Sequence, residues 1–373
     1  MPSDSIAEVA DSIKDEDTNL SSTPSGAPIN TLIDTPSELC DQATASSNLK
    51  QAVVVLDTLM DCVKQQVLGR DNVIELAIIA LIADGHVLLE DFPGSGKTTL
   101  AKALGEAIVS ENTNSDEFIL PFRRIQFTPD LLPSDVTGVP VFDSNSNAFH
   151  FRHGPIFAHV VLADEINRTS PKVQSAMLEA MGEKQVTVDN ETYPLDSLFF
   201  VIATQNPLDL IGTYPLPTPQ LDRFLFKVTM DHIDRDAELD VLATYKERRD
   251  QTNVKKITVN RDDVLAARKI IDKEVVISTA VQTALVDISR NLRDDDRVLQ
   301  GNSTRSMVLS LPALQACAAL RHRSYVSAED IELLLPRVLG HRIELAPGVS
   351  DFDKILAENM HAPMEVLARG TLG

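Results

Sequence analysis

The chain has 373 residues, which is enough for one large or two medium-sized domains in addition to a tail. Its formal net charge is −21, so most of the surface would repel a phosphate backbone and general nucleic-acid binding is not expected. Three widely spaced cysteines, the lack of a secretory leader and the shortness of every apolar run argue against a secreted or stably membrane-inserted protein and predict a cytoplasmic one.

The start of the chain is an acidic segment in which apolar residues are sparse and aperiodic. Up to Leu49 it carries nine acidic residues and a single basic residue, Lys14. Such a segment cannot bury enough surface to offset the entropy lost on ordering, so residues 1–48 are predicted to be a disordered tail. The sequence leaves two interpretations of the tail open, a partner-binding segment and a solvated extension.

Two amphipathic helices are predicted at the start of the folded chain. The first begins near Leu49 and runs to Val63. The second has Asp71 as its N-cap and ends at Asp84 and Gly85, where glycine can close a helix. A short apolar strand at 86–89 then leads into a glycine-rich turn and a helix at 100–107.

The turn between that strand and that helix has the composition of a phosphate-binding loop. Glycines at 94 and 96 let backbone amides approach a polyphosphate, and the helix that follows offers its first-turn amides and the positive end of its dipole. Lys97 would reach the β- and γ-phosphates, and the Thr98 hydroxyl would ligate Mg²⁺. Asp91 stands where the pattern has its first glycine, and we expect it to tolerate the positive φ of a turn. The residues predicted to bind ATP in this loop are Pro93, Gly94, Ser95, Gly96, Lys97, Thr98 and Thr99.

The remaining α/β region continues this alternation of elements. Buried strands are predicted at 124–127, 160–163, 198–203 and 225–228, and helices at 154–157, 171–181 and 237–248. Two hairpins are also predicted, one with strands at 139–142 and 148–151 and the other with strands at 185–188 and 192–195.

Polar residues follow two of the buried strands. Asp164 and Glu165 come directly after the strand at 160–163, at the sheet edge where ligands of open α/β sheets bind. Asp164 would hold the Mg²⁺ shell through water, and Glu165 would polarise the attacking water as general base. Asn206 follows the strand at 198–203, and its amide is able to orient a water molecule. The predicted metal-binding residues are therefore Thr98 and Asp164.

After about residue 253 the predicted strands stop. Amphipathic helices are expected at 264–271, 279–292, 305–320 and 328–339, which marks a change of structural class near 235–255. The expected organisation is a tail at 1–48, an α/β nucleotide-binding domain at 49–240, an α-helical domain at 255–345 and a C-terminal extension at 346–373.

From about Leu49 to Ile343 the chain resembles the MoxR family of AAA+ ATPases, in the clade with a β-hairpin inserted in helix 2. The resemblance rests on the order and spacing of six runs: GHVLLE at 85–90, PGSGKT at 93–98, DEINR at 164–168, ATQNP at 203–207, YPLP at 214–217 and QLDRF at 220–224. It implies an α/β fold, an AAA+ P-loop NTPase core with a parallel five-stranded sheet, followed by a small all-α lid domain.

The resemblance also implies roles for individual residues. Lys97 and Thr98 match the Walker A motif, Asp164 and Glu165 match Walker B, and Asn206 matches sensor 1.

Three further residues take their implied roles from the same resemblance. Arg223 is similar to the arginine finger that acts on the ATP of the neighbouring subunit, because the charge spread over a transferring phosphoryl group calls for a bidentate cation. A structural pair between Arg223 and Asp222 is the alternative. Arg305 is similar to sensor 2, although Thr304 stands where the family often has proline. Gly69 and its flanks resemble the segment that packs against adenine.

A finger acting in trans implies a homo-oligomeric ring, usually a hexamer in this family, closed through a heterologous interface. The two hairpins match inserts that face the ring pore or a client. The function implied is an ATP- and Mg²⁺-dependent motor that remodels or assembles a protein client, and related ATPases often act with partners that carry a von Willebrand factor A domain. No nucleic-acid partner is expected.

Two rival hypotheses remain open at this point. Relatives in the same clade form rings that translocate on DNA, but the hairpins here carry Asp143, Asp189 and Glu191 as well as Arg152, which is not a basic pore. The chain is alternatively a nucleotide-dependent scaffold with little turnover. The intact Asp164, Glu165 and Arg223 argue against that interpretation.

Overall fold

The computed structural model of the chain describes residues 46–91, 94–110, 119–206, 212–246 and 257–370. The predicted tail lies outside these residues except for 46–48, where Ser46 caps the first helix by accepting a hydrogen bond from the Leu49 amide at 3.1 Å. Pro93 also lies outside them. Within the described ranges no helix has the length and apolar character needed to cross a membrane.

The elements alternate between strands and helices up to residue 243 and are almost entirely helical after 260. In chain order they are α1 (Ser47–Lys64), α2 (Asp71–Ile82), β1 (Val87–Asp91), α3 (Lys97–Ala107), β2 (Ile108–Val109), β3 (Leu120–Gln126), α4 (Pro133–Thr137), β4 (Gly138–Asp143), β5 (Ala148–His153), β6 (Ala158–Asp164), α5 (Pro171–Glu183), β7 (Gln185–Val188), β8 (Glu191–Pro194), β9 (Phe200–Gln205), α6 (Thr218–Leu221), β10 (Phe226–Met230), α7 (Arg235–Ala243), β11 (Val259–Asn260), α8 (Arg261–Glu274), α9 (Thr279–Asp294), β12 (Val298–Gln300), α10 (Thr304–Leu320), α11 (Ala328–Leu339), β13 (Glu344–Leu345) and α12 (Phe352–Gly370).

The centre of the molecule is a five-stranded sheet in the order β10-β1-β9-β6-β3. Every neighbouring pair is parallel, so the carboxyl ends of all these strands meet at one edge of the sheet. β6 is buried along its whole length, whereas β3 lies at the edge of the sheet and is largely exposed. The sheet and the helices that follow it confirm the predicted α/β core with a helical lid domain.

Successive residues of the central strands contribute to two different cores. Leu89 of β1 and Ile202 of β9 lie in a core that also contains α1, α2, α3 and the C-terminal helices. Their neighbours Leu88 and Val201 lie in a second core with α5. Side chains alternate across a strand and both faces of this sheet are covered, which is why the strands read as nearly continuous apolar runs.

The C-terminal helices pack against one another and against the first helix of the chain. α8 lies on α1, and α10 lies on α2. Helix α12 packs on α9 and α11 and buries Ile355, Leu356, Met360 and Met364 in the same core. Residues that the sequence assigned to a C-terminal extension thus share their packing with the helical domain.

Both predicted hairpins are present, and they touch. β4 pairs with β5, and β7 pairs with β8 through a turn in which Asp189 and Asn190 have φ of 51° and 67°. These angles are those that a two-residue hairpin turn requires. The rings of Phe151 and Tyr193 stack at 3.8 Å between centroids and join the two hairpins. Phe149, near the tip of the first hairpin, is 71% exposed.

The ends of α2 differ from the prediction. Arg70 is in the N-cap position, so Asp71 is already inside the helix. Asp84, with φ of 56°, takes the left-handed conformation that was expected of glycine. Gly85 is needed for space instead, since an added Cβ would lie 2.6 Å from the Cβ of Leu225.

Two other local predictions were wrong. Asp91 is the last residue of β1 and pairs with Met230, so this position has extended backbone and needs no positive φ. Residues 154–157 form a turn rather than a helix, and their backbone bonds run back to residues 136 and 137.

Two histidines are buried in neutral form. The Nδ1 atom of His86 accepts from the Val201 amide at 3.1 Å, and its Nε2 lies 3.2 Å from the Met181 carbonyl oxygen. Burial lowers the pKa of His86 from 6.5 to about 4 and the pKa of His341 to about 3. Both pKa values lie below the unfolded one, so the unfolded chain binds more protons than the folded one as pH falls below 6.5.

We therefore expect the free energy of unfolding to fall as pH is lowered from 7 to 5. Each histidine should contribute about 2 kcal/mol to this loss at pH 5. Urea unfolding across this pH range measures the change. His86→Gln should flatten the slope of this change with pH. A free energy of unfolding that is the same at pH 7 and pH 5 would contradict the assignment.

Candidate nucleotide-binding and catalytic site

The glycine loop lies between β1 and α3, at the carboxyl edge of the sheet. Gly94 and Gly96 have φ of 93° and 94°, and no atom lies within 4 Å of an added Cβ at either position. Glycine is therefore needed here for its backbone conformation rather than for space. Because α3 begins at Lys97, directly after the loop, the unpaired amides of its first turn lie beside the loop.

Asp164, the last residue of β6, is a buried carboxylate held from several sides. Its Oδ1 accepts from the Thr204 hydroxyl at 2.8 Å and lies 3.8 Å from the Lys97 Nζ. Its Oδ2 accepts from two nitrogens of Arg124, at 3.1 and 2.5 Å. The carboxylate is thus oriented by a hydroxyl and two cations.

Glu165 follows in a left-handed backbone conformation with φ of 59°. Its amide donates to the Thr204 hydroxyl at 2.8 Å, so one threonine contacts both acidic residues. The carboxylate accepts from Gln126 at 2.7 Å and lies 3.4 Å from Arg168. Unfavourable φ values in non-glycine residues occur preferentially at functional sites, where the surroundings hold them in place.

One cavity of about 380 Å³ brings the predicted Walker A, Walker B and sensor 1 residues together. Its lining consists of Gly94, Ser95, Gly96, Lys97, Thr98, Arg124, Gln126, Asp164, Glu165 and Asn206. A glycine loop with a lysine and a hydroxyl on one side and two carboxylates on the other can hold a polyphosphate, a divalent cation and a water molecule.

A second cavity of about 440 Å³ adjoins the first, since the glycine loop lines both. Thr99 lines this second cavity together with Leu68, Arg70 and Ile233. Gly69 lies behind the lining: it has φ of 68°, and an added Cβ would approach Ala237 of α7 to 2.6 Å. The predicted adenine segment thus borders this cavity through the two neighbours of Gly69.

Arg223 and Arg305 lie outside the linings of both cavities. Arg223 is half-buried and donates to the Leu178 carbonyl oxygen at 2.8 Å. Asp222 pairs with Arg342 at 2.7 Å and approaches Arg305 at 3.7 Å. The carboxylate that was considered as the structural partner of Arg223 therefore has other partners. The Arg305 side chain is 63% exposed.

Sequence reasoning missed three side chains that shape this site: Arg124, Gln126 and Thr204. On β3, Arg124 and Gln126 are two residues apart and so share a face, and Gln126 lies in register with Asp164. The alternation of these polar residues with Ile125 and Phe127 was a usable signal, but it pointed to the site only once β3 was known to lie beside β6.

A parallel sheet with a glycine loop after β1, a carboxylate pair after β6 and a helical C-terminal domain defines an AAA+ nucleotide-binding protein. Residues 86–226 match the ATPase family associated with various cellular activities (AAA), and residues 290–358 match the AAA lid domain. The chain belongs to the MoxR family of AAA+ ATPases.

Individual relatives support this assignment. The chain is similar to the Bacillus subtilis protein YeaC, with 42% identity over 304 residues that span 82% of this chain and 91% of YeaC. It is 32% identical to the chaperone MoxR1 of Mycobacterium tuberculosis over 308 residues, 80% of this chain and 78% of MoxR1. A crystal structure from Cytophaga hutchinsonii matches with a TM-score of 0.72 and 33% identity, covering 86% of this chain and 96% of that one.

Proposed function

We propose that this protein hydrolyses ATP with Mg²⁺ and uses the energy to remodel or assemble a protein client, as a cytoplasmic member of its family. The observation that carries this proposal is the single cavity in which Lys97 and Thr98 lie opposite Asp164, Glu165 and Asn206. AAA+ family membership supports ATPase activity in general, and the name of the relative MoxR1 supports a chaperone-like role.

The residues that line the cavity suit distinct tasks in hydrolysis. Lys97 would bind the β- and γ-phosphates, and the loop amides at 94–96 would cradle them. Thr98 and Asp164 supply the oxygen atoms that Mg²⁺ prefers, and the bound ion would neutralise charge on the phosphates. Glu165 would accept a proton from the attacking water, which Asn206 would orient.

Arg223 and Arg305 would complete the site from outside the cavity. We propose that Arg305 contacts bound nucleotide as sensor 2 and that Arg223 acts on the nucleotide of the next protomer in a homo-oligomeric ring, a hexamer. Arg223 is half-exposed, and among the residues that the structure describes its guanidinium bonds a carbonyl oxygen and no carboxylate, so its charge is available for such a role.

The joined hairpins are proposed to contact the client. The first hairpin exposes Val141, Phe142 and Phe149 near its tip, where apolar side chains can bind an unfolded segment or another domain. A partner with a von Willebrand factor A domain is our candidate client. Lys184, at the base of the second hairpin, is paired with Asp84 at 2.6 Å and so adds little free positive charge for nucleic acid.

We further propose the division into a nucleotide-binding domain at 49–240 and a lid beginning near 255. The lid would include α12, because that helix packs on α9 and α11.

Steady-state phosphate release from ATP by the purified chain tests the proposed function. Hydrolysis should require Mg²⁺, stop on chelation and be unaffected by duplex or single-stranded DNA. A rate no higher than that of buffer would favour the scaffold hypothesis. Binding of DNA that weakens steeply with added salt would favour the translocase hypothesis.

A further inference from the structure

The buried side chain of Arg342 joins the helical domain to the loop that precedes β10. Arg342 follows α11, and its side chain is 2% exposed. It donates to the Asp222 Oδ1 at 2.7 Å and to the carbonyl oxygens of Asp222, Phe224 and Leu225 at 3.1, 2.6 and 3.2 Å. The preceding His341 places its Nε2 2.9 Å from the same Phe224 oxygen. One planar guanidinium thus binds the backbone of nearly the whole loop.

The bound loop is the one that carries Arg223. The Arg223 side chain donates to Leu178 of α5, while Arg342 holds the backbone on either side of it. Because a guanidinium donates in a fixed, planar pattern, these bonds set the orientation of the loop as well as its position. A rotation of the helical domain that moves Arg342 must therefore move Arg223.

Asp222 extends this connection to Arg305. Its Oδ1 binds Arg342, and its Oδ2 lies 3.7 Å from the Arg305 Nε in the first turn of α10. A single carboxylate therefore lies between a buried arginine and an exposed one. If Arg305 turned toward a phosphate, Asp222 would lose one of its two cations, and the balance of charge around the loop would change.

We propose that Arg342 is a positioning residue that transmits the position of the lid to Arg223. The packing of the helical domain thereby sets the orientation of the finger that this protomer lends to the next one. This inference rests on the proposed action of Arg223 in trans. It adds a buried residue, outside both nucleotide cavities, on which hydrolysis at the neighbouring site depends.

Arg342→Lys keeps the charge and removes the planar pattern of donors. We expect kcat at saturating ATP to fall roughly a hundredfold, as a small displacement of a catalytic group can cause, with ATP affinity unchanged. Arg323→Lys is the matched control, since the Arg323 guanidinium donates two hydrogen bonds to buried Asp330 elsewhere in the helical domain. It should lower thermal stability to a similar degree without lowering kcat.

A mixing experiment separates a positioning role from a structural one. Lys97→Ala protomers cannot hold ATP but carry an intact Arg223, so they should restore hydrolysis at the intact sites of Arg342→Lys protomers in mixed rings. The same mixture with Arg223→Ala protomers should also recover activity.

Each outcome bears on the inference. Rescue of Arg342→Lys supports it. Rescue of Arg223→Ala without rescue of Arg342→Lys overturns the inference and leaves the proposed function standing. No rescue of Arg223→Ala overturns action in trans and, with it, the inference. If Arg342→Lys does not fold, Asp222→Asn, which removes the charge that Arg342 binds, must show the same rescue, and its absence overturns the inference.

Discussion

Glu165→Gln should lower the rate of ATP hydrolysis by about 10²- to 10⁴-fold, the contribution typical of a positioned general base. The amide has nearly the shape of the carboxylate, and its one oxygen can still accept from Gln126, but it cannot take a proton from water. Asp164, Lys97 and the glycine loop are unchanged, so ATP should bind as before. Single-turnover hydrolysis tests the expected loss of rate. Equilibrium nucleotide binding, measured on the same preparation, tests whether ATP still binds.

The control for this variant is Glu179→Gln, which makes the same chemical change on the exposed face of α5. It should hydrolyse ATP at the rate of the parent chain. Equal rates for Glu165→Gln and the parent chain would defeat the assignment of Glu165 as the base. The ATP-bound Glu165→Gln protein would also be a trap, and a client should be retained on it in ATP but released in ADP.

Arg223→Ala should lower kcat by about 10³- to 10⁵-fold if the guanidinium stabilises the charge of the transferring phosphoryl group. ATP affinity should change little, because Arg223 lies outside both cavities of its own chain. The bond to Leu178 is a single hydrogen bond at 2.8 Å, so its loss should affect folding only modestly. Steady-state kinetics measure the loss of kcat, and thermal unfolding measures the loss of stability.

Arg290→Ala, at an exposed position on α9, is the control for the loss of an arginine side chain. Its kinetics should be those of the parent chain. If Arg223→Ala lost stability but kept its turnover, Arg223 would be a structural residue of the α5 contact, and the trans mechanism would be wrong.

The phosphate loop and the carboxylate pair could be predicted from the sequence because their signals are local. A strand, a turn rich in glycine and a helix follow one another without interruption around Lys97, and Asp164 ends an unbroken apolar strand. The change of class after residue 253 was visible for the same reason, since strand and helix periodicities differ.

Contacts between distant parts of the chain were not predictable in this way. Thr204 meets Asp164 across 40 positions, and Arg342 meets Asp222 across 120. Only the strand order and the packing of the helical domain bring these pairs together. The error at Asp91 has a different cause: strand β1 extends further than its apolar residues, so a position that was assigned to the turn belongs to the sheet.

The core shared by α1, α2 and the C-terminal helices has a consequence for dissecting the protein. A fragment ending at residue 246 would lack the C-terminal helices that pack on α1 and α2 and would expose part of this core to water, and we expect it to aggregate even though it retains every residue of the nucleotide cavity. In the proposed cycle of ATP hydrolysis, the same apolar contact would limit the helical domain to small rotations, because detaching the domain would expose that surface at every turnover.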